Sequence, residues 1–180
     1  MINQDALLVA GVKAGDEDAF TAVVERYQAA IGRYVLRLVG DSALAEELCQ
    51  ETFFRAYRAI FKTGDELALR PWLYRIATNV AYSVLRRRRP RGVPLEQAER
   101  HRPPGSLAYL EHLAHQRDVV HRTLVRLPAE YAVPLVLSAV EGFSYQEVAA
   151  ILGMSAEATR KRIYRAKLRF RVVYEELERG

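Results

Sequence analysis

Apolar positions recur along this chain at the spacing of α-helices, and no stretch shows the alternation of a strand. Between Asp16 and Gly40, the residues Phe20, Val23, Val24, Tyr27, Ile31, Tyr34, Val35 and Leu38 fall on one helical face, with Asp16 placed to cap the start and Gly40 to end the helix. Ahead of it, Leu7, Leu8 and Val12 predict a shorter helix closed by Gly15. Asp41 opens a third that runs through about Ile60, turning Ala45, Leu48, Thr52 and Ala56 inward and Glu46, Glu47, Gln50 and Glu51 outward. Phe61 to Arg70 reads as a loop with Lys62, Thr63, Gly64 and Asp65 as its turn residues. Pro71 suits the first position of a fourth helix, which buries Trp72, Leu73, Ile76, Val80 and Val84 and leaves Arg75, Thr78, Asn79, Tyr82, Ser83 and Arg86 outside.

Arginine and proline then break every periodicity from Arg86 to Gly105, which predicts a mobile cationic linker. Helical spacing resumes with Leu107, Leu110, Ala114, Val120, Leu124 and Leu127. Pro128 starts another helix that buries Tyr131, Leu135 and Leu137, and Pro134 is expected to kink or split it by removing a backbone hydrogen bond. The stretch EGFSYQEVAAILGMSAEATRKRIYRAKLR, from Glu141 to Arg169, predicts two helices joined by a tight turn. Ser144 and Glu147 form a capping box flanked by a Phe143–Val148 staple, and Gly153 falls where a positive φ ends a helix. Ser155 caps the second helix, whose stripe of Thr159, Ile163, Ala166, Phe170, Val173 and Leu177 faces a core. Its other face carries Arg160, Lys161, Arg162, Arg165, Lys167 and Arg169, the charge layout of a helix that enters the major groove. The fold class is therefore all-α: two small helical domains, 1–89 and 107–180, joined by a flexible linker over 90–106, with the C-terminal one a helix-turn-helix.

Charge sharpens this picture because it is segregated. The chain of 180 residues has a formal charge of +5, which favours a polyanionic partner, yet one helix face is acidic. In a protein meant for nucleic acid, an acidic face points away from phosphate, and we read it as a docking surface for another protein. The outer face of the fourth helix combines Tyr82, Asn79, Arg75 and Arg86: a plane to stack on, an amide for base edges and cations for backbone, which is what unstacked bases need. No phosphate-cradling, dinucleotide or hydrolytic motif occurs, and no carboxylate pair sits in an apolar stretch, which argues against an enzyme. His112 and His115 lack a third ligand, so no metal or other cofactor and no small-molecule substrate is expected. No apolar run reaches membrane-spanning length and the N-terminus has no secretory pattern, so the expectation is a cytoplasmic protein without membrane insertion. A single cysteine, Cys49, excludes an internal disulfide and is expected to be buried or half-buried.

Two further stretches narrow the class. AEELCQETFFRAYRAIF followed by WLYRIATNVAYSVLRRR, in the N-terminal half, and LPAEYAVPLVLSAVEGFSYQEVAAILGMSAEATRKRIYRAK, in the C-terminal half, together resemble the bacterial sigma factors of the extracytoplasmic-function group. The resemblance spans nearly the whole chain. It implies a subunit that binds core RNA polymerase, places it on promoter DNA and helps to melt the start region. Core binding would fall to Glu47, Gln50, Glu51 and Arg55, and the minus-ten element to Lys62, Trp72, Arg75, Asn79, Tyr82 and Arg86. The minus-thirty-five element would be met by Ser155, Ala156, Glu157, Arg160, Lys161, Arg162 and Arg165, with Ala156, Glu157 and Arg160 at base edges and Lys161 and Arg165 at phosphates. An anti-sigma partner is implied as well. The chain departs from the family at Glu157, Ala158 and Thr159, where G-T-V is usual, at Leu69, where an aromatic is common, and at Pro134. The rival reading is an autonomous helix-turn-helix regulator, which would carry a sensing or dimerising domain in place of the N-terminal half.

Overall fold

Asp16 and Asp41 each accept hydrogen bonds from the first turn of a helix, and these two caps, with the glycine between them, set the frame of the N-terminal half. Oδ1 of Asp16 takes the N–H groups of Asp18 and Ala19 at 3.0 and 3.3 Å, and Oδ1 of Asp41 takes that of Leu44 at 3.0 Å. The computed structural model of the protein describes residues 4–64, 66–86 and 107–179, the side chains of 107–115 excepted. Its helices are α1 (Gln4–Lys13), α2 (Glu17–Val39), α3 (Ser42–Ile60), α4 (Leu69–Leu85), α5 (Leu107–Arg126), α6 (Ala129–Ala139), α7 (Tyr145–Leu152) and α8 (Ala156–Arg179). No strand occurs among the described residues, in keeping with an all-α class. The linker expected over 90–106 and the side chains of His112 and His115 lie outside them.

In the first four helices the core forms where the helical stripes meet: Val23, Ile31, Tyr34 and Val35 of α2, Ala56 and Ile60 of α3, and Leu73 and Ala77 of α4 are all fully buried. Burial of each large side chain contributes about 1.5 to 3 kcal/mol against the entropy of ordering. Three expectations change here. Leu7 is exposed and Val9 takes its inward place on α1. The fourth helix starts two residues before Pro71, with Leu69 buried in the core. Pro71 still lies in the first turn, where a missing N–H costs no helical hydrogen bond. Thr78, expected outside, is buried with its hydroxyl 2.7 Å from that of Tyr34, so two polar side chains satisfy each other inside the core.

In the last four, the capping box of α7 is complete: the Glu147 N–H donates to Ser144 Oγ at 3.2 Å and the Ser144 N–H to Glu147 Oε2 at 2.8 Å. That backbone donor holds the Glu147 carboxyl below its ordinary range. Gly153 ends α7 at φ 65°, and Ser155 Oγ accepts the Ala158 N–H at 3.1 Å to start α8. Thr159, Ile163 and Ala166 bury the first half of α8 against α5, α6 and α7, and Phe170, Val173 and Leu177 continue the stripe half-buried. Two expectations change in this half. Pro134 does not split α6, because Ala132, Val133 and Leu135 to Leu137 are buried around it and packing outweighs one lost hydrogen bond. Val120 is exposed, and Val119 and Thr123 take the inward positions of α5.

The two groups of helices touch. Helix α4 packs on α6 and α7, helix α2 packs on α5 and α6, and the buried residues of both halves join in one apolar cluster.

Candidate nucleic-acid interface

Three surfaces hold the residues singled out from the sequence. The first is the outer side of α3, where Glu47 and Gln50 are exposed and Glu51 receives the Nε–H of Arg55 at 2.6 Å. Beside these residues stand three aromatics that periodicity did not single out: Phe54, Tyr57 and Phe61, all exposed. Phe20 meets Tyr57 edge-on at 4.9 Å between centroids, Tyr57 meets Phe61 at 5.5 Å, and Arg58 lies 5.6 Å over the Phe54 ring. Their spacing of three and four, off the Ala45, Leu48, Thr52 and Ala56 stripe, was the available signal. Exposed aromatics next to a ring of charge have the composition of a protein-binding surface rather than of a solvated one.

The second surface is one stripe of α4. Trp72, Arg75, Asn79, Tyr82 and Arg86 follow each other at steps of three and four, with Arg75, Asn79 and Arg86 exposed and Trp72 and Tyr82 half-buried. Lys62 is exposed on the loop between α3 and α4, off that stripe. Across that loop Lys13 reaches from the end of α1, its Nζ donating to the carbonyls of Thr63 at 2.7 Å and Gly64 at 2.9 Å. A single ammonium thus fixes two peptide groups of the loop beside α4. Lys13→Met should loosen this loop and speed amide exchange around Thr63 and Gly64 several-fold while leaving global stability unchanged; an equal fall in global stability would make Lys13 a general stabiliser. Tyr82 donates from its hydroxyl to the carbonyl of Ala129 at 3.4 Å. Burial pushes its phenol up to about 12, against the opposing charge of Arg162, so it stays protonated at neutral pH.

The third surface is the start of α8. Ser155, Ala156, Glu157, Arg160, Lys161 and Arg165 are exposed on it, and Lys161 Nζ lies 2.5 Å from Glu157 Oε1. An ion pair so exposed contributes little to stability and yields readily to a phosphate. Arg162 differs: it is half-buried and donates from Nη1 to Met154 Sδ at 3.5 Å. Arg169 lies 4.6 Å over the ring of Tyr131 and serves packing as much as charge. Helix α7 holds this surface by its glycine turn, so that the pair presents the cationic face as one unit.

Among the described residues no group of three or more His, Cys, Asp or Glu side chains is placed to hold a metal ion. Cys49 is half-buried, and burial followed by the charge of Glu46 pushes its thiol up, away from the reactive thiolate. No helix among the described residues is long and apolar enough to cross a membrane.

A capped helix-turn-helix with a cationic second helix, attached to a helical unit with an acidic and aromatic docking face, defines a DNA-binding protein that also engages another protein. Residues 23–91 match the family Sigma-70 region 2 and residues 117–170 match the family Sigma-70, region 4. The chain is 37% identical over 174 residues to the RNA polymerase sigma-H factor of Pseudomonas aeruginosa, covering 91% of this chain and 90% of that protein. It is 35% identical over 173 residues to the ECF RNA polymerase sigma-E factor of Escherichia coli, with coverage of 91% and 90%. Among solved structures, CnrH in complex with the cytosolic domain of CnrY superposes with a TM-score of 0.74 at 25% identity, over 97% of this chain and 99% of that one. The sigma factor RpoE in complex with the anti-sigma factor NepR from Bartonella quintana shares the fold, with a TM-score of 0.67 at 24% identity over 87% and 96%. The chain belongs to the sigma-70 family, in its extracytoplasmic-function group, and is an RNA polymerase sigma factor.

Proposed function

We propose that this sigma factor divides its work among the three surfaces and does so without a catalytic group. The N-terminal domain, residues 1–89, binds core RNA polymerase through Glu47, Gln50, Glu51 and Arg55, with Phe54, Tyr57 and Phe61 as the apolar part of the same contact. The stripe of Trp72, Arg75, Asn79, Tyr82 and Arg86, with Lys62 on the loop, takes the non-template strand of the minus-ten element as it opens. Stacking and pockets for unstacked bases let binding energy drive strand separation without a nucleotide cofactor. The C-terminal domain, residues 107–180, places α8 in the major groove of the minus-thirty-five element, and the segment 90–106 joins the two. The protein acts in the cytoplasm, where polymerase and promoter are, and an anti-sigma factor is the partner that restrains it.

The observation that carries this reading is the separation of charge. The acidic residues of α3 and the cations of α8 occupy different helices, each with its apolar stripe buried and its charged face exposed. One surface suits a protein and the other suits phosphate. Run-off transcription on fragmented genomic DNA of the source organism, with core polymerase in the presence and absence of this chain, tests it directly. Discrete new starts that need both components are expected and give the promoter sequence; tight retardation of duplex DNA by the chain alone, with no start, would replace the reading by an autonomous regulator. Within that promoter, Arg160→Ala should cost about 1 to 3 kcal/mol on the cognate upstream element if Arg160 meets a base edge. A loss equal on unrelated sequences would assign it to phosphate.

A further inference from the structure

We infer that the outer face of α8 pairs antiparallel with the same face of a second copy of this chain, and that this pairing and duplex DNA compete for one surface. Opposite the buried stripe of Thr159, Ile163 and Ala166, the positions Glu157, Lys161, Tyr164, Leu168, Val172, Glu175 and Arg179 follow one another at steps of three and four, and all are exposed. The middle of this line is apolar: Tyr164 is 64% exposed, Leu168 45% and Val172 57%. Apolar side chains scattered singly over a surface are ordinary. Here they stand in one row along a 24-residue helix, with charges at both ends of the row.

The order of those charges selects both the partner and its direction. A two-fold axis at Leu168 sets this residue against its own copy, and in such an interface every contact occurs twice. Tyr164 then faces Val172 of the second copy, Lys161 faces Glu175 of the second copy, and Glu157 faces Arg179 of the second copy. Within one helix, Lys161 Nζ lies 2.5 Å from Glu157 Oε1 and Arg179 Nη2 lies 3.2 Å from Glu175 Oε2. Antiparallel pairing joins the first of these pairs to the second pair of the other copy, so that each end of the apolar row carries a ring of four charges of alternating sign. A network of this kind holds where a single exposed ion pair contributes little. Parallel pairing would instead set Glu157 on Glu157 and Lys161 on Lys161, like on like. A uniformly acidic partner would suit Lys161 and be repelled by Glu157 and Glu175, whereas the chain itself supplies the matching order.

Lys167 and Arg171 flank the apolar row on one side and repel their counterparts across it, which keeps the pairing reversible. Its area is that of one helix face, at the small end for protein interfaces. The consequence for DNA rests on the assignment of α8 proposed above. Glu157 and Lys161 belong both to the pairing face and to the residues assigned to the minus-thirty-five element, and Arg160 stands beside them. A second copy seated on α8 therefore covers them. A phosphate that takes Lys161 removes it from Glu157 of its own helix and from Glu175 of the second copy alike, so the helix can hold a copy of itself or a duplex but not both.

Sedimentation velocity of the full chain, with neither DNA nor polymerase present, is expected to move from monomer at about 1 μM toward dimer at about 100 μM. Lys161→Glu and Glu175→Lys should each weaken the dimer at least about tenfold, and a one-to-one mixture of the two variants should recover it. Only across copies does each new charge meet its opposite, because both substitutions break the ion pair within their own helix. The register is read in a Cys49→Ser background with a short bis-maleimide. Leu168→Cys chains should join one another, and Tyr164→Cys chains should join Val172→Cys chains. Tyr164→Cys alone, whose two copies would stand roughly 12 Å apart along the axis, should join poorly. An excess of mixed-sequence duplex at low salt, where the chain binds it, should suppress the Leu168→Cys product. All substituted positions on α8 are exposed, and circular dichroism checks that the helices are kept. A monomer over the whole range, a mixture no more dimeric than its parts, Tyr164→Cys joining as well as Leu168→Cys, or a Leu168→Cys product indifferent to bound duplex would each overturn the inference. The first three results would leave the promoter assignment intact, whereas absence of discrete run-off starts would refute that assignment and leave the dimer standing.

Discussion

On the proposed reading of α3 as the docking face, Glu47→Lys combined with Gln50→Ala will weaken association with core RNA polymerase by about 2 to 4 kcal/mol, because the sign of one contacting charge is reversed and an amide contact is removed. Both positions are exposed on α3 and neither belongs to the stripe of Ala45, Leu48, Thr52 and Ala56 that packs the helix, so the fold is untouched. The Glu51–Arg55 pair one turn on remains in place. Titration of labelled full-length chain with core polymerase gives the affinity, and retention of a minus-thirty-five duplex by the same variant gives the DNA arm. Loss in the first with no change in the second is expected. Equal loss in both would mean that α3 and α8 do not act as separate surfaces. A larger effect still is expected when Tyr57→Ala is added, since the exposed aromatic is better placed than the acids to be desolvated at the centre of an interface.

The helix-turn-helix could be read from the chain because each of its signals is local. Ser144 and Glu147 satisfy each other's backbone donors three residues apart, Gly153 supplies a positive φ, and the Thr159, Ile163 and Ala166 stripe needs only the helical period to be seen. The caps at Asp16 and Asp41 are legible for the same reason. What periodicity conveys is that a side chain faces inward; it does not convey which neighbour is met there. Thr78 looked like an outer residue by its polarity, and only the arrival of Tyr34 from α2 makes a buried hydroxyl acceptable. Pro134 looked like a break, and the close burial of α6 on several sides keeps it whole.

Candidate site residues divide along the same line. Steps of three and four placed Arg75, Asn79 and Tyr82 together on α4, and Arg160, Lys161 and Arg165 were placed outside by falling off the Thr159, Ile163 and Ala166 stripe of α8. The same reasoning treated Arg162 as one more cation of the groove-facing side, whereas the structure turns it toward Met154. Glu141 read only as the start of the stretch that holds the helix-turn-helix. Its partners lie 104 and 67 positions away in the chain, at Arg37 and Tyr74, and no local pattern encodes a contact of that range.

Ile163→Ala will destabilise the C-terminal half by about 3 kcal/mol, the usual cost of removing a fully buried branched side chain whose cavity cannot collapse. Ile163 is 1% exposed and lies between Thr159 and Ala166, which are also buried, so its cavity has packed walls on both sides along the helix. Tyr164→Ala, one position on but 64% exposed, should change stability by no more than about 0.5 kcal/mol. A lower urea midpoint with unchanged slope in the first variant, and little change in the second, is the expected pair of results. The consequence for function follows from geometry rather than from chemistry. On the proposed reading, Arg160 and Lys161 reach DNA only because Ile163 and Ala166, both buried, hold their helix against the rest of the domain. Ile163→Ala should therefore lose transcription from promoters that need the upstream element as temperature rises, and regain it on cooling. A loss that persisted in the cold, where the variant is folded, would mean that the position contributes to recognition itself and that the division of α8 into a packing side and a reading side is wrong.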